Sequence, residues 1–269
     1  LDSFVMFAEN VPFYGYLVIN GDDVNIKKIS KKISRAQIKF GQSKDCDYQI
    51  TKISSSKGKQ SFEIFDRKNN KEHKFKINLP GRHNIFNAAA AIAVSMEEGI
   101  PLRVIKSGIQ KFSGVGRRYE KHDLIINQKK VILIDDYGHH PLEIESNINA
   151  YKEEFPNKKV CMIFQPHRFS RTAQLFDDFV RVLNKTDLLI LLDIYSASEK
   201  PIRGIHSRTI AETIKQEGHK NVIYLKSHDD VNDLIIDKIE DFDILVTQGA
   251  GSVSKVCESI KNKWTKSKK

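Results

Sequence analysis

The chain has 269 residues, the length of about two domains, and its 44 Lys and Arg residues exceed its 34 Asp and Glu residues to give a formal net charge of +10. A hydrophobic share of 40% supports packed cores and excludes wholesale disorder. The sequence has no apolar run of membrane-spanning length and no signal-peptide pattern, and its three widely spaced cysteines exclude a disulfide scaffold or a zinc knuckle and fit a reducing, cytoplasmic compartment.

The positive charge is concentrated in two short segments, residues 27–32 (KKISKK) and residues 261–269 (KNKWTKSKK). Elsewhere acidic and basic side chains are mixed, and the sequence lacks the basic stripe with interleaved aromatic residues that is typical of a nucleic-acid surface. We therefore expect no nucleic-acid partner. The two segments are interpreted either as solvated surfaces or as a sign that the protein favours anionic ligands.

Residues 1 to about 80 are expected to form mainly short strands and turns. The apolar run GYLVING ends at Asn20-Gly21, which is a turn signal. Residues 61–66 and 73–78 alternate between polar and apolar side chains, which predicts an antiparallel hairpin. Its inward-facing residues are predicted to be Phe62, Ile64, Phe75 and Ile77.

Two helices are expected after this hairpin. Residues 84–98 are rich in alanine and are followed by Gly99, which predicts a strong helix that ends there. Pro101 occupies the first-turn position of a second helix, which is expected to reach about Phe112.

From Ile125 onward, short apolar strands alternate with amphipathic helices, one of which is expected to cover residues 171–184. This alternation indicates a mainly parallel sheet that is covered on both faces. We therefore predict an α/β protein with a doubly wound, Rossmann-like domain at residues 119–269, whose ligands bind at the carboxyl ends of the strands. The boundary with the domain at residues 1–118 is placed near Arg118.

The side chains that carry chemistry follow three of the predicted strands, in residues 135–141 (DDYGHHP), 165–172 (QPHRFSRT) and 247–252 (TQGAGS). Turns alone need only turn-forming residues, yet these segments contain acids, histidines, arginines and glycines. Because ligands of such domains bind at the carboxyl edge of the sheet, we expect a functional site there.

Arg168 and Arg171 are three residues apart at the start of a predicted helix and therefore share one face. Two cations at the positive end of a helix dipole are unfavourable without an anionic partner. The pair is interpreted as a clamp for a carboxylate or phosphate, and exposed arginines on a solvated turn are the alternative.

His139, His140 and His167 could bind zinc, hydrogen-bond a substrate or its transition state, or serve as structural histidines. Adjacent histidines in a turn point in different directions, so we predict no metal site here. Asp135 and Asp136 follow a buried strand, where they either cap the next helix or bind a ribose or an ammonium group.

Asn84 and Asn87 lie in the first turn of the alanine-rich helix. One asparagine there is an ordinary cap, but two of them after residues 81–83 (GRH) could instead form a base-reading or packing site. Residues 249–251 (GAG) could admit an anion to a helix N-terminus, although a lone Gly-x-Gly is a weak signal. The third glycine of a dinucleotide fingerprint is missing, so an NAD oxidoreductase is poorly supported.

Seven motifs occur in one order along nearly the whole chain: NVPFYG, GRHNIFNAAAAIA, GVGRR, DDYGHHP, FQPHRFSRT, FDDF and TQGAG. In this order they closely resemble the Mur ligase family of peptidoglycan synthesis. DDYGHHP and FQPHRFSRT are most similar to the branch that joins L-alanine to UDP-N-acetylmuramate. The branch that recycles the murein tripeptide resembles the chain less well and is the alternative.

The resemblance implies an ATP-dependent ligation. ATP phosphorylates the muramyl carboxylate to an acyl phosphate, the amine of L-alanine attacks it, and a tetrahedral intermediate collapses to the amide. Such catalysis relies mostly on positioning and on neutralising charge. The residues that the resemblance assigns to ATP are Asn84 and Asn87 at the adenine, Arg117 or Arg118 at the phosphates, and Asp136 at the ribose.

The resemblance also assigns residues to the other substrates. Tyr137 and His139 are expected to hold the muramyl group. His167, Arg168 and Arg171 are expected to hold the alanine carboxylate and the acyl centre. Within this set, His139, His167 and Arg171 are the expected catalytic residues.

One departure from the family pattern is decisive. Mur ligases begin with a UDP-binding domain, a GxxGK[ST] phosphate loop and a Mg²⁺-binding Glu and His, whereas the only Gly-Lys here, Gly58-Lys59, lies among predicted strands. We therefore expect the chain to be the end of a P-loop-type central ATPase domain plus the whole C-terminal domain, with its Mg²⁺ ligands in a missing upstream part. The chain alone is expected to be inactive, and a non-catalytic binding module is the alternative from another functional class.

Overall fold

The computed structural model describes residues 1–56 and 58–265 and divides the chain into two units, Leu1–Ser113 and Gly114–Lys269. The sequence places the boundary a few residues later, near Arg118. Lys57 and the end of the basic segment 261–269 lie outside the described residues. Among the described helices, none is both long enough and apolar enough to cross a membrane.

The first unit has one sheet of five strands in the order β1-β2-β3-β4-β5. The strands are β1 (Tyr16–Asn20), β2 (Ala36–Gly41), β3 (Tyr48–Ser56), β4 (Lys59–Asp66) and β5 (Lys71–Ile77). The pairs β1–β2 and β2–β3 are parallel, while β3–β4 and β4–β5 are antiparallel. The helices are α1 (Asp2–Glu9), α2 (Val24–Ser30), α3 (Arg82–Glu97) and α4 (Leu102–Lys111).

The predicted hairpin of the first unit is confirmed as the antiparallel pair β4–β5. Its four predicted inward-facing residues are all buried, in a core that also contains residues of α3 and α4. The two short helices α1 and α2 were not expected from the sequence. For α2 the local cause is Asp23, whose side chain accepts hydrogen bonds from the backbone N–H groups of Asn25 (2.8 Å) and Ile26 (2.9 Å).

The second unit has one sheet of six strands in the order β10-β9-β8-β11-β7-β6. The strands are β6 (Glu120–Ile126), β7 (Lys129–Asp136), β8 (Val160–Phe164), β9 (Leu188–Leu192), β10 (Val222–Leu225) and β11 (Ile244–Gln248). The helices are α5 (Pro141–Glu154), α6 (Phe169–Gln174), α7 (Phe176–Leu183), α8 (Ser207–Gln216), α9 (Val231–Asp237) and α10 (Val253–Trp264), with a 3-10 turn at Ile239–Asp241.

Apolar side chains cover both faces of this sheet. The buried residues of α5, α7 and α8 pack on one face, and those of α9 and α10 pack on the other. Every residue of β8, β9 and β11 is buried, which explains their continuous apolar sequences. The predicted α/β class and doubly wound sheet are therefore confirmed.

The second unit has one strand that was not predicted and one helix that differs from the prediction. The added strand β6 pairs with β7 in the antiparallel direction, through a turn in which Asn127 and Gln128 have φ of 46° and 68°. The helix expected at residues 171–184 is broken at Leu175, whose φ is −117°. Two acids, Asp177 and Asp178, lie in the first turn of the second piece, where the helix dipole favours negative charge.

Candidate functional site

The three segments singled out in the sequence meet at one edge of the second unit's sheet. Strand β11 lies between β7 and β8 and is parallel to both, with Gln248 beside Asp136 on one side and Phe164 on the other. The carboxyl ends of the three strands therefore adjoin, as expected for a doubly wound domain.

Asp135 links β7, β11 and the start of the unit. Its carboxylate accepts hydrogen bonds from Arg117 Nε (2.9 Å) and Thr247 Oγ1 (2.8 Å), and Arg117 Nη2 also donates to the carbonyl of Gly249 (2.8 Å). The side chain of Arg117 is 26% exposed, whereas that of Arg118 is 50% exposed and reaches Glu143 at 3.4 Å. Of the two predicted phosphate ligands, Arg118 is therefore the freer one.

Asp136 is buried and organises the turn that follows β7. Its carboxylate accepts hydrogen bonds from the backbone N–H groups of Tyr119 (2.8 Å) and Gly138 (2.7 Å) and from Gln248 Nε2 (2.9 Å). Both oxygens are thus engaged within the protein, and the predicted contact with a ribose stays a prediction. A Cβ on Gly138 would lie 2.7 Å from Asp136 Oδ1 and from Gln248 Nε2, so only glycine fits this turn.

His140 is the N-cap of α5, and its Nδ1 accepts a hydrogen bond from the backbone N–H of Leu142 (3.2 Å). Glu143 Oε2 in turn accepts from the backbone N–H groups of His139 (2.9 Å) and His140 (3.0 Å). Of the three roles considered for the histidines, the structure gives His140 the structural one.

Four aromatic rings form a continuous row along the edge, which we call the ring row: Tyr137, His139, His167 and Tyr195. Successive ring centroids are 5.4, 5.5 and 5.4 Å apart, and the His167 and Tyr195 rings are stacked. The guanidinium of Arg118 lies 5.4 Å from the Tyr137 ring at one end of the row. The row thus joins the ends of β7 and β8 to the loop after β9.

Arg171 contacts the ring row from α6. Its Nη1 lies 3.3 Å from His167 Nδ1 and donates to the His167 carbonyl at 3.2 Å. Within residues 1–56 and 58–265, no carboxylate oxygen lies within 4.0 Å of the Arg171 guanidinium. Arg168 differs, because Glu199 lies 3.7 Å from its Nη1.

Burial lowers the pKa of both His139 and His167 below the ordinary histidine value, and the positive charge of Arg171 lowers both further. Both rings are therefore neutral at neutral pH, and each can offer one nitrogen as a hydrogen-bond acceptor. A site with neutral histidines beside two arginines is suited to bind an anion and to accept a proton.

These two histidines predict a pH dependence of stability. Because their pKa values are lowered by folding, the unfolded chain binds more protons below its own histidine pKa of about 6.5, so stability is highest above that pH and falls as the pH drops through it. We expect the free energy of unfolding in urea to be lower at about pH 5.5 than at about pH 7.5. In the double variant His139→Gln, His167→Gln this difference should shrink, and an equal pH difference in the parent and the double variant would contradict the assignment.

The N-terminus of α10, which follows the glycine-rich residues 249–251, is capped from within the protein. Gln165 is buried, and its Oε1 accepts a hydrogen bond from the backbone N–H of Val253 at 2.9 Å. A Cβ on Gly251 would lie 2.6 Å from the same Oε1, so glycine permits this close approach. The Gln165 side chain therefore already accepts the hydrogen bond of a backbone N–H group that an anion at this helix end would need.

Asn84 and Asn87 belong to the first unit, at the start of α3. Asn84 Nδ2 donates to the carbonyl of Pro80 at 2.7 Å and so fixes the preceding turn, whereas Asn87 is exposed. The helix cap is Gly81, with φ of 85°, and neither asparagine serves as the cap. Asn87 Nδ2 lies 3.5 Å from Asn84 Oδ1, and the contact of these amides with an adenine stays a prediction.

Sequence reasoning missed Tyr195 and Glu199, which follow β9, and Glu143, whose carboxylate accepts hydrogen bonds from the turn after β7. Gln165 lies in a segment that the sequence singled out, but its capping role was not predicted. Tyr195 and Glu199 could have been predicted as site residues, because they also follow a buried parallel strand. Among the described residues, no group of three or more His, Cys, Asp or Glu side chains could hold a metal ion. The Mg²⁺ ligands that the resemblance implies therefore have no clustered counterpart among the described residues.

Two protein families match the sequence. Residues 117–251 match the family described as the Mur ligase glutamate ligase domain, and residues 1–95 match the Mur ligase middle domain. Together these ranges cover most of the chain.

Solved structures with the same fold include three ligases. UDP-N-acetylmuramate-alanine ligase from Thermotoga maritima aligns with a TM-score of 0.72 at 23% identity, over 96% of this chain and 61% of that one. Murein peptide ligase from Psychrobacter arcticus gives 0.71 at 17% identity, over 97% and 53%. MurF ligase from Thermotoga maritima, in complex with ADP, gives 0.69 at 18% identity, over 97% and 56%. The chain thus spans between 53% and 61% of the length of these proteins, and the likeness shows the fold alone.

Proposed function

Because the chain belongs to the Mur ligase family, we propose that it is part of an ATP-dependent ligase that joins L-alanine to UDP-N-acetylmuramate in peptidoglycan synthesis in the cytoplasm. The observation that carries this proposal is the contact of the Arg171 guanidinium with His167, beside His139 in the ring row. This cluster offers one cation without a carboxylate partner among the described residues and two neutral imidazoles. An amino acid has a carboxylate, which the arginine of this cluster can bind. Its amine must lose a proton, which a neutral imidazole can accept.

We propose ATP-binding roles for residues within each unit. Asn87 reads the adenine edge, with Asn84 holding the turn before it, and Arg118 contacts the phosphates from its half-exposed position. Asp136 orients the ribose through the turn that it holds, with any direct contact made by an unused lone pair of its carboxylate. The γ-phosphoryl group moves to the muramyl carboxylate, and ADP leaves.

The acyl phosphate then reacts with the acceptor amine. Tyr137 and His139 hold the muramyl group, and Arg171 holds the alanine carboxylate. His167 and Arg168 lie beside Arg171. The amine attacks the acyl carbon, the carbon–oxygen bond to phosphate breaks, and the amine proton passes to a neutral imidazole of the ring row. Guanidinium charge near the acyl oxygen stabilises the tetrahedral intermediate.

A murein tripeptide acceptor is the second candidate. Its support is the resemblance of the motifs to the branch that recycles the murein tripeptide, which is weaker than the resemblance to the alanine-adding branch. The two candidates share the acyl-phosphate chemistry and differ in the acceptor.

The test is ATP-dependent phosphate release with UDP-N-acetylmuramate and L-alanine. We expect no phosphate release from the isolated chain, because it lacks a phosphate loop and its lysine. We expect turnover from the protein expressed from the complete reading frame. Replacing L-alanine by the tripeptide separates the two candidates. Absence of turnover with both acceptors in the complete protein would overturn the proposal.

A further inference from the structure

The loop that follows β9, residues 193–199, holds the segment that carries the arginine pair. The backbone N–H of Tyr195 donates to the carbonyl of Pro166 (2.9 Å), and the N–H of Arg168 donates to the carbonyl of Tyr195 (2.8 Å). The Tyr195 ring stacks on His167, with centroids 5.4 Å apart. The loop is therefore joined to the candidate site by its backbone as well as by a side chain.

Glu199 ends this loop at the first turn of α6. Its Oε2 accepts a hydrogen bond from the backbone N–H of Ser170 (3.0 Å), and its Oε1 accepts from Ser170 Oγ (2.7 Å). These hydrogen bonds lower the pKa of Glu199, so the side chain is ionised at neutral pH. The same Oε1 lies 3.7 Å from Arg168 Nη1.

The two arginines therefore differ in their charge environment. An anion on Arg168 would lie beside a carboxylate that is fixed to the backbone, and the repulsion between them would weaken its binding. Arg171 has no such neighbour within the described chain, and its Nε and Nη2 make no hydrogen bond there. The free donors and the uncompensated charge belong to Arg171.

We infer that Glu199 is a positioning residue, which forms an ion pair with the half-exposed Arg168 and leaves Arg171 as the arginine that receives the carboxylate of the acceptor amino acid. This inference rests on the proposed function for the identity of the anion. The division between the arginines itself follows from the contacts of Glu199. It replaces the expectation that Arg168 and Arg171 clamp the same carboxylate.

The experiment is an NMR titration of the chain with L-alanine and, separately, with inorganic phosphate, followed at the arginine Nε–Hε and histidine ring signals. Arg171→Ala should weaken binding of both probes by about tenfold or more, and Arg168→Ala should change it by less than about threefold. In the Glu199→Gln background, where the carboxylate charge is removed, Arg168→Ala should weaken binding measurably. A purely structural Glu199 would change stability without making Arg168 matter for binding.

Three results would overturn the inference: no binding of either probe, an equal loss in Arg168→Ala and Arg171→Ala, or no effect of Arg168→Ala in the Glu199→Gln background. Thermal melts of each variant separate these results from unfolding. If phosphate binds through Arg171 while L-alanine does not, the arginine division holds and the proposed acceptor fails. The two proposals can therefore fail independently.

Discussion

Arg171→Ala should reduce kcat/KM for L-alanine in the complete ligase by an amount equivalent to about 2–4 kcal/mol, the range for loss of one preorganised donor to a developing charge. The reason is that Arg171 is the guanidinium beside His167 that has no carboxylate partner among the described residues. Arg171→Lys should recover only part of this loss, because lysine keeps the charge but cannot reproduce the planar, two-pronged donor. Steady-state kinetics with varied L-alanine measure both effects.

The matched control for this prediction is Arg181→Ala. Arg181 lies on α7, where its guanidinium pairs with the exposed Asp178 at 3.1 Å, and we expect near-normal kinetics from its substitution. Both variants should melt close to the parent temperature, since neither arginine lies in the apolar core. If Arg171→Ala keeps kcat/KM within about threefold of the parent, which is under about 0.7 kcal/mol, the arginine does not bind substrate.

Asp136→Ala should lower the free energy of unfolding by about 3–5 kcal/mol, because three donors would lose the buried carboxylate that accepts their hydrogen bonds. Asp136→Asn should have a smaller effect. It keeps one acceptor oxygen but turns an NH₂ group towards a donor. Urea unfolding of the chain measures both variants.

This prediction separates a structural Asp136 from one that acts only on ATP. The control is Asp123→Ala on the edge strand β6, where the aspartate is exposed and its loss should be nearly neutral. If Asp136→Ala unfolded like the parent, and the complete enzyme carrying it only had a raised KM for ATP, the ribose contact would be its sole role. A combined loss of stability and of ATP affinity would support the structural role with the ribose role added to it.

Much of the second unit could be predicted because its signals are local. Fully apolar strands of five residues, such as β8 and β9, separated by amphipathic helices, define a buried parallel sheet without any knowledge of contacts. The break at Leu175 and the short helices of the first unit were less visible. They depend on single caps and on packing, which a hydrophobic pattern over a longer window averages out.

The arginine pair shows where the site could be predicted and where it could not. Helix electrostatics predicted that two cations at the start of α6 need an anion, and the structure places the carboxylate of Glu199 beside one of them, Arg168. The sequence pointed to a ligand for both, whereas Glu199, 31 residues beyond Arg168, lies beside Arg168 at 3.7 Å. Nothing in the spacing of the two residues indicates this contact, because it depends on β8 and β9 being neighbours in the sheet.

The sequence by itself determined the family, the α/β class, the alternation of the second unit and the three segments that carry polar chemistry, because each is recorded in residues close together along the chain. Only the tertiary structure decided which of these side chains meet. Insertion of β11 between β7 and β8 brings Thr247 to Asp135 and Gln248 to Asp136, pairs that are 112 residues apart. The order of parallel strands is set by the packing of both helical layers at once, and no local pattern of apolar residues encodes it.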